Sequence, residues 1–446
     1  MLTWLRKNTK NIILVVAILF VISMFYGLGY WGRGERTAKK TSALAKVNGK
    51  EIDPLRFREN LNKIIQNLGQ EISPQDLPFL ENLALGQTID FTLILNEAKK
   101  RVRVSGREVD GALESIMRQQ NIPSKRELER ALKNVGLSLN KFRDLIRDDI
   151  LVQKFMVKLR EEVRVTPDDL KEVRASHILV TSEAEAQKLL ARIKKGEDFA
   201  KLARAYSKDP GSAPKGGDLG YFTLGTMVEP FEKAAFSLKP GEVSGVVKSP
   251  FGYHLIKVTN VRMRRFPSGE EPEKAALKEK QEKAFRNWYA EVRSKAKIEI
   301  LSPELRGHDL RFRGRIPEAI EEYKKAIAEN PANAYLHVFL GDAYRAAGQN
   351  ELALSEYENA IKLEGGNPEL YLILGKAYES LGQKDMAALQ YRKASLVAGD
   401  NKALHQKLLK LFQALKRPQE VAREKEEIKR IEKKEKFEKE LRGGKD

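Results

Sequence analysis

The sequence predicts a multidomain α+β chain with one transmembrane helix, a helical domain, a mixed α/β domain and an α-solenoid. Three observations predict this. Residues 11–32 carry no charge, residues 173–261 hold strand-like segments between helical ones, and from about residue 300 small and aromatic residues recur every 34 positions.

The chain has 446 residues, of which 41% are hydrophobic, enough for several packed cores. It has no cysteine, which excludes disulfide scaffolds, thiol catalysis, Cys-ligated zinc and iron–sulfur clusters. That absence also fits an oxidising compartment. Lys and Arg total 81 against 62 Asp and Glu, a net charge of +19. Such an excess raises nucleic acid or an anionic membrane as partners. The charge is diffuse, however: only +3 falls within residues 175–261, and no arginine–aromatic patch stands out, so no nucleic-acid partner is expected.

The run NIILVVAILFVISMFYGLGYWG (11–32) follows a short tail, 1–10, containing Arg6, Lys7 and Lys10. At 1.5 Å per residue it is long enough to cross a hydrocarbon core of about 30 Å. Tyr26, Tyr30 and Trp31 stand at its far end, where amphipathic rings favour the interface. A cleaved signal peptide is the rival reading, but it calls for a shorter apolar region closed by small residues. Bulky, charged YWGRGER follows here instead, so an uncleaved single-pass anchor is expected, with the bilayer as a partner through one helix. Basic residues flank both ends, so charge counting leaves the orientation open.

Residues 41–172 read as a helical domain. The Val-Asn-Gly-Lys turn in AKVNGKEID predicts a small hairpin. Amphipathic runs follow, with Leu139, Phe142, Ile146, Ile150 and Val157 recurring at helical spacing. Ser105, Ser124 and Thr166-Pro167-Asp168-Asp169 read as helix starts.

Residues 173–261 predict a compact α/β domain. VRASHILV and GYHLIKVT read as strands. Between them lie three short helical patterns, the loop DPGSAPKGGDLGYF and the turn KPGEVSG. The segment 274–301 then holds a long amphipathic helix and the short strand KIEIL.

Residues 302–418 carry the repeat. Gly307, Gly341 and Gly375 are in phase, as are Ala319, Ala353 and Ala387, Tyr323, Tyr357 and Tyr391, and Ala326, Ala360 and Ala394. Gly314, Gly348 and Gly382 mark the turn within each unit. This is the tetratricopeptide pattern of paired helices, which stack into a solenoid and present a surface for a protein partner of unknown identity. Leu404, Leu408, Leu411 and Phe412 would face inward on a capping helix, and 419–446 reads as a charged helical tail exposed to solvent.

Residues 173–261 resemble the parvulin family of peptidyl-prolyl isomerases. The resemblance rests on R-A-S-H-I-L-V (174–180), G-E-D-F-A-K-L-A (196–203), Y-S-K-D-P-G-S-A (206–213), G-G-D-L-G (216–220), M-V-E-P-F (227–231) and F-G-Y-H-L-I-K-V (251–258). It implies a catalytic His177, Asp209 and His254, with the histidines positioning the site and the aspartate near the substrate carbonyl. It implies a proline pocket lined by Leu219, Met227 and Phe231 and flanked by Phe251, and a Ser249 hydroxyl that orients a histidine. Rotation about a peptide bond breaks no bond, so no cofactor is expected. The five histidines are dispersed and no H-E-x-x-H motif occurs, so no metal site is expected either.

AKVNGKEIDPLRF (45–57), the helices to residue 172 and KAFRNWYAEVRSKAKIEIL (283–301) resemble the chaperone domain of SurA- and PpiD-like foldases. That likeness implies that 274–301 completes the 41–172 domain. It also implies an inner-membrane protein whose bulk lies on the periplasmic side and acts on unfolded or nascent exported polypeptides with X–Pro bonds. A non-catalytic scaffold that uses the same domains only to bind protein is the alternative.

Overall fold

The computed structural model describes residues 43–68, 72–266 and 270–443. They fall into two compact units, one comprising residues up to 153 together with those from 295 onward, the other residues 154–294.

The first unit opens with the hairpin β1 (Ala45–Val47) and β2 (Lys50–Glu51). Asn48 and Gly49 both take positive φ, the conformation that an Asn-Gly turn supplies at low cost. Helices α1 (Pro54–Leu68), α2 (Leu77–Arg101), α3 (Gly106–Gln119), α4 (Lys125–Asn134) and α5 (Leu139–Glu161) follow. Ser105 and Ser124 cap α3 and α4 by accepting from the Glu108 and Glu127 amides. Thr166 opens a single 3-10 turn, Pro167–Leu170, already within the second unit. Val109, Leu113, Leu128, Leu132, Phe142 and Ile146 form one apolar core.

The second unit contains β3 (Lys171–Val180), α6 (Glu183–Lys194), α7 (Phe199–Tyr206), β4 (Asp218–Phe222), α8 (Glu229–Ser237), β5 (Val247–Ser249), β6 (Gly252–Met263) and α9 (Pro272–Ser294). The sheet is antiparallel, in the order β4-β3-β6-β5. Strands β4 and β5 lie where a loop and the segment after a turn were expected. Tyr221 and Phe222 take up ladder positions beside Arg174 and Val173, and Val247 pairs with His254. One face buries Ile178, Val180 and Leu255 against α6 and α7; the other buries Val173, Ala175, Ile256 and Val258 against Phe231, Ala235 and Phe236 of α8.

The first unit resumes at β7 (Ile298–Ile300), which pairs with β1. Helices α10 (Pro303–Phe312), α11 (Ile316–Glu329), α12 (Ala334–Ala346), α13 (Asn350–Leu363), α14 (Pro368–Ser380), α15 (Lys384–Val397), α16 (Lys402–Ala414) and α17 (Pro418–Gly443) complete it. The phased residues meet across each hairpin: Tyr323, Tyr357 and Tyr391 are fully buried against Gly307, Gly341 and Gly375. The charged tail is not simply solvated. Glu424 of α17 is buried with His405 at 2.7 Å, and Ile431 is buried too. At the start of the repeats α10 packs on α2, where the Phe79 and Phe312 rings lie tilted with centroids 5.3 Å apart. There the buried His308 ring lies 3.0 Å from a Glu81 oxygen and 4.0 Å from Glu304. Burial lifts Glu81 to about 7; burial, followed by the Glu81 charge, lifts Glu304 to about 7; burial also holds His308 down at about 4.

The expected transmembrane helix, 11–32, lies outside the described residues, and no helix among the described residues is long and apolar enough to cross a membrane. The fold class is corrected accordingly, to a multidomain helical chain with an α/β domain and repeat helices. The long helices are unsuited to lipid because charge interrupts them: α2 carries Glu81, Asp90, Glu97 and a basic last turn. The expectations of a bilayer partner and a single-pass location lose their support with that helix.

A methyl group added at Gly375 would come within 2.3 Å of the Tyr391 ring. Gly→Ala inside a helix ordinarily stabilises by about 0.5–1 kcal/mol. Here Gly375→Ala should instead destabilise by about 1–3 kcal/mol through overpacking. Urea unfolding monitored by far-UV circular dichroism gives the sign directly.

Candidate active site

Strands β3 and β6 set the floor of the site. His177 pairs with Ile256 and His254 with Leu179, so the two histidines are diagonal neighbours on the sheet face toward α8. Their Nδ1 atoms lie 3.3 Å apart and their rings stack at 5.5 Å, and both residues are buried. Phe231 of α8 stands edge-on to both rings, at 5.7 Å and 5.4 Å.

The loop after α7 brings a carboxylate to this pair. The Ser207 hydroxyl accepts from the Leu179 amide, and the Lys208 amide donates to the Leu179 carbonyl, pinning the loop to β3. Asp209 Oδ2 then lies 2.8 Å from His177 Nε2, while Oδ1 accepts from the Gly211 amide at 3.1 Å. Ser212 is buried, donates its hydroxyl to Asp209 Oδ2 and lies 3.0 Å from His177 Nε2. The chain returns past Gly217, whose carbonyl accepts the His177 amide. Gly217 has φ +85°, and a Cβ there would lie 2.2 Å from the His177 carbonyl oxygen, so only glycine fits.

The far end of the histidine pair is held as firmly. His254 Nε2 lies 2.7 Å from Ser249 Oγ, which also accepts the Phe251 amide at 3.0 Å. Burial, then the neighbouring His177, lower the His254 pKa to about 4, leaving it neutral near pH 7. Burial raises the Asp209 carboxyl, but hydrogen bonds from Ser212, His177 and the Gly211 amide outweigh it and bring it to about 2. An ionised Asp209 only accepts, so His177 Nε2 donates to it. His254, held neutral, shares its Nδ1 with His177 Nδ1 and its Nε2 with the Ser249 hydroxyl.

His177, Asp209 and His254 therefore form one hydrogen-bonded line. Leu219 and Met227 are half-buried against the cluster that holds Phe231 and Phe222. The Met227 amide donates to Glu232 in the first turn of α8, at 2.8 Å. Phe251 stands apart from that cluster at 70% exposure, and its hydrogen bond to Ser249 is made through its backbone. Sequence reading passed over Ser212. Its signal was present in Asp209-Pro210-Gly211-Ser212, where a hydroxyl three residues past an aspartate can close the turn onto the carboxylate.

Comparison with known proteins gives the ancestry of this arrangement. The family model of the PPIC-type PPIase domain matches residues 156–262, and that of the SurA-like N-terminal domain matches 1–156. Tetratricopeptide models match 307–344, 341–382 and 368–401. The foldase protein PrsA of Geobacillus sp. strain WCH70 is 39% identical over 225 residues, 46% of this chain and 75% of that protein. The chain belongs to the PrsA foldase family. The PrsA foldase of Caldanaerobacter subterraneus is 30% identical over 307 residues, 63% of this chain and 94% of that protein. The parvulin NmPin of Nitrosopumilus maritimus is 53% identical over 20% of this chain and 97% of its own, with a TM-score of 0.20. As a PrsA-family member with a parvulin domain, the chain is a peptidyl-prolyl cis–trans isomerase that assists folding.

The His254 pKa sets a stability window. An unfolded histidine titrates near 6.5, whereas folded His254 titrates at about 4. Below pH 6.5 the unfolded chain takes up a proton that the folded site refuses. The stability from neutral His254 is complete above about 6.5 and falls toward pH 4, by up to about 1.4 kcal/mol per pH unit. The loss linked to Asp209 follows only below about pH 4, as the pH falls toward its folded value of about 2. His254→Gln should flatten the upper window in urea titrations read by NMR at the β3 and β6 amides. Equal slopes in the two proteins would refute the assignment.

Proposed function

We propose that the isomerase acts outside the cytoplasm on unfolded or nascent exported polypeptides, with His177, Asp209 and His254 as its catalytic line. Leu219, Met227 and Phe231 hold the substrate's proline ring, and Phe251 flanks them as an exposed aromatic. The observation that carries this reading is an ionised, part-exposed Asp209 fixed beside an apolar cluster by a buried histidine pair.

The chemistry follows from the barrier. Rotation about X–Pro is slow because resonance gives the C–N bond partial double-bond character, with electron density shifted toward oxygen. No bond breaks, so the site need only favour the twisted amide over both planar forms. A carboxylate beside the carbonyl disfavours the charge-separated resonance form and so weakens the partial double bond. Neutral His254 adds no positive charge to offset it. The apolar cluster holds the ring and keeps water from the nitrogen, which stabilises the unconjugated form. The missing cysteines fit an extracytoplasmic setting. The tetratricopeptide segment fits docking to a protein partner.

Acceleration of cis–trans exchange in an X–Pro tetrapeptide by the full chain tests the reading. Asp209→Asn should lower kcat tenfold or more, equivalent to about 1.4 kcal/mol of barrier. Met227→Ala should act mainly on KM, and His177→Ala combined with Met227→Ala should remove most activity. Asp209→Asn with wild-type kcat would sink the proposed role of the carboxylate. If that variant also kept full suppression of client aggregation, binding and not isomerisation would be the chaperone's contribution.

A further inference from the structure

Glu81, Glu304 and His308 form a cluster remote from the isomerase in sequence and not used by it. One ligand atom from each lies within 4.8 Å of the others, the one such group of three among the described residues. Glu81 comes from α2, whereas Glu304 and His308 are one turn apart on α10. His308 is fully buried at its side chain and Glu81 nearly so, at 8%, while Glu304 is 33% exposed at the rim. The walls are aromatic: Phe339 stands edge-on to His308 at 4.9 Å, and Tyr323 is tilted against it at 5.5 Å.

The cluster is electrostatically incomplete. Two carboxylates converge in a poorly hydrated site, and neither has a lysine or arginine partner among the described residues. Buried carboxylates without a counter-charge are costly, and a bound cation relieves that cost. We propose that Glu81, Glu304 and His308 bind one divalent transition-metal ion, with zinc as its type, and that the ion ties α2 to the first repeat helix.

The donors fit such an ion. One imidazole with two carboxylates suits zinc and its neighbours, whereas calcium and magnesium favour all-oxygen sets. Two carboxylates also neutralise a dication in a buried place. Tetrahedral zinc with bonds near 2.1 Å needs donors about 3.4 Å apart. Glu81 and His308 are already at 3.0 Å, Glu304 stands 4.0 Å from His308, and all three donors lie within 4.8 Å, so the widest gap closes by at most about 1.4 Å. Its exposure also supplies the entry path. His308 Nδ1 lies 2.9 Å from the Tyr323 hydroxyl, which fixes the ring. On binding, the neutral imidazole moves its proton from Nε2 to Nδ1 and donates to the tyrosine oxygen. Nε2 is then free for the metal, and any proton held between the carboxyls leaves to solvent. The sequence expectation of no metal site rested on dispersed histidines; Glu81 reaches His308 from a segment more than two hundred residues away, which no local motif shows.

The test uses the full chain, stripped with chelator and titrated with Zn²⁺ by isothermal calorimetry, with Mg²⁺ and Ca²⁺ as controls. One equivalent of Zn²⁺ should bind and raise Tm. Glu304→Gln, at the partly exposed rim and so tolerated by the fold, should weaken binding tenfold or more and abolish the Tm shift. Glu81→Gln should do the same, and X-ray absorption should show an N/O shell with one imidazole. Absence of saturable binding overturns the proposal. So does wild-type affinity in both Gln variants, or loss of binding in His177→Asn instead, which would place the ion at the isomerase pair. Isomerase activity is not a readout here, so this result and the catalytic assignment stand or fall separately.

Discussion

Asp209 can only accept hydrogen bonds, and that constraint anchors the isomerase site. With its carboxyl held at about 2, the proton between it and His177 belongs to Nε2 of the ring. From there the line runs on through the Nδ1 contact to His254, which burial keeps neutral, and ends at the Ser249 hydroxyl. Two buried imidazoles with no defined proton order would be a liability in a low-dielectric core. A single exposed-side acceptor fixes one end of that order, and the Phe251 amide steadies the other by donating to Ser249.

The backbone is shaped to keep that acceptor in place. Asp209 is held through both oxygens, by the Gly211 amide on one side and by Ser212 and His177 on the other. The loop reaches His177 only because Gly217 lies against the His177 peptide with no side chain. The sheet contributes the diagonal register of β3 and β6, so the histidine spacing is fixed by the ladder and not by loops. Precision therefore rests on the rigid elements, and the carboxylate is the part of the line left open to solvent.

The strand pattern, the repeat phase and the histidines were legible in the sequence because each has a short-range signature. Gly307/Tyr323 and its two echoes announce themselves by spacing alone, and they meet in the structure. His177, Asp209 and His254 were reached through motif likeness, and their mutual distances needed the fold. Ser212 was hidden because a serine in a turn is usually a local cap, and nothing local shows that its hydroxyl faces a histidine 35 residues earlier. Strand β4 was hidden for a related reason. Gly-Gly-Asp-Leu-Gly reads as loop until Tyr221 and Phe222 find partners on β3.

The same reasoning explains why charge was a poor guide to function and partnership a good one. Four of the five histidines lie against a carboxylate: His177 with Asp209, His308 with Glu81, His337 with Glu356 and His405 with Glu424. Three of these pairs join elements within the repeat-bearing unit, where His405–Glu424 docks the tail helix and His308–Glu81 docks α2 on α10. The isomerase pair differs in having a second histidine on its other nitrogen and an open side at the carboxylate. The Glu81 pair differs in having a second, uncompensated carboxylate at its rim. An imidazole with a single carboxylate is a structural clasp. One further group at the same centre sets each of two pairs apart: a second histidine beside His177 and Asp209, and a second carboxylate beside His308 and Glu81.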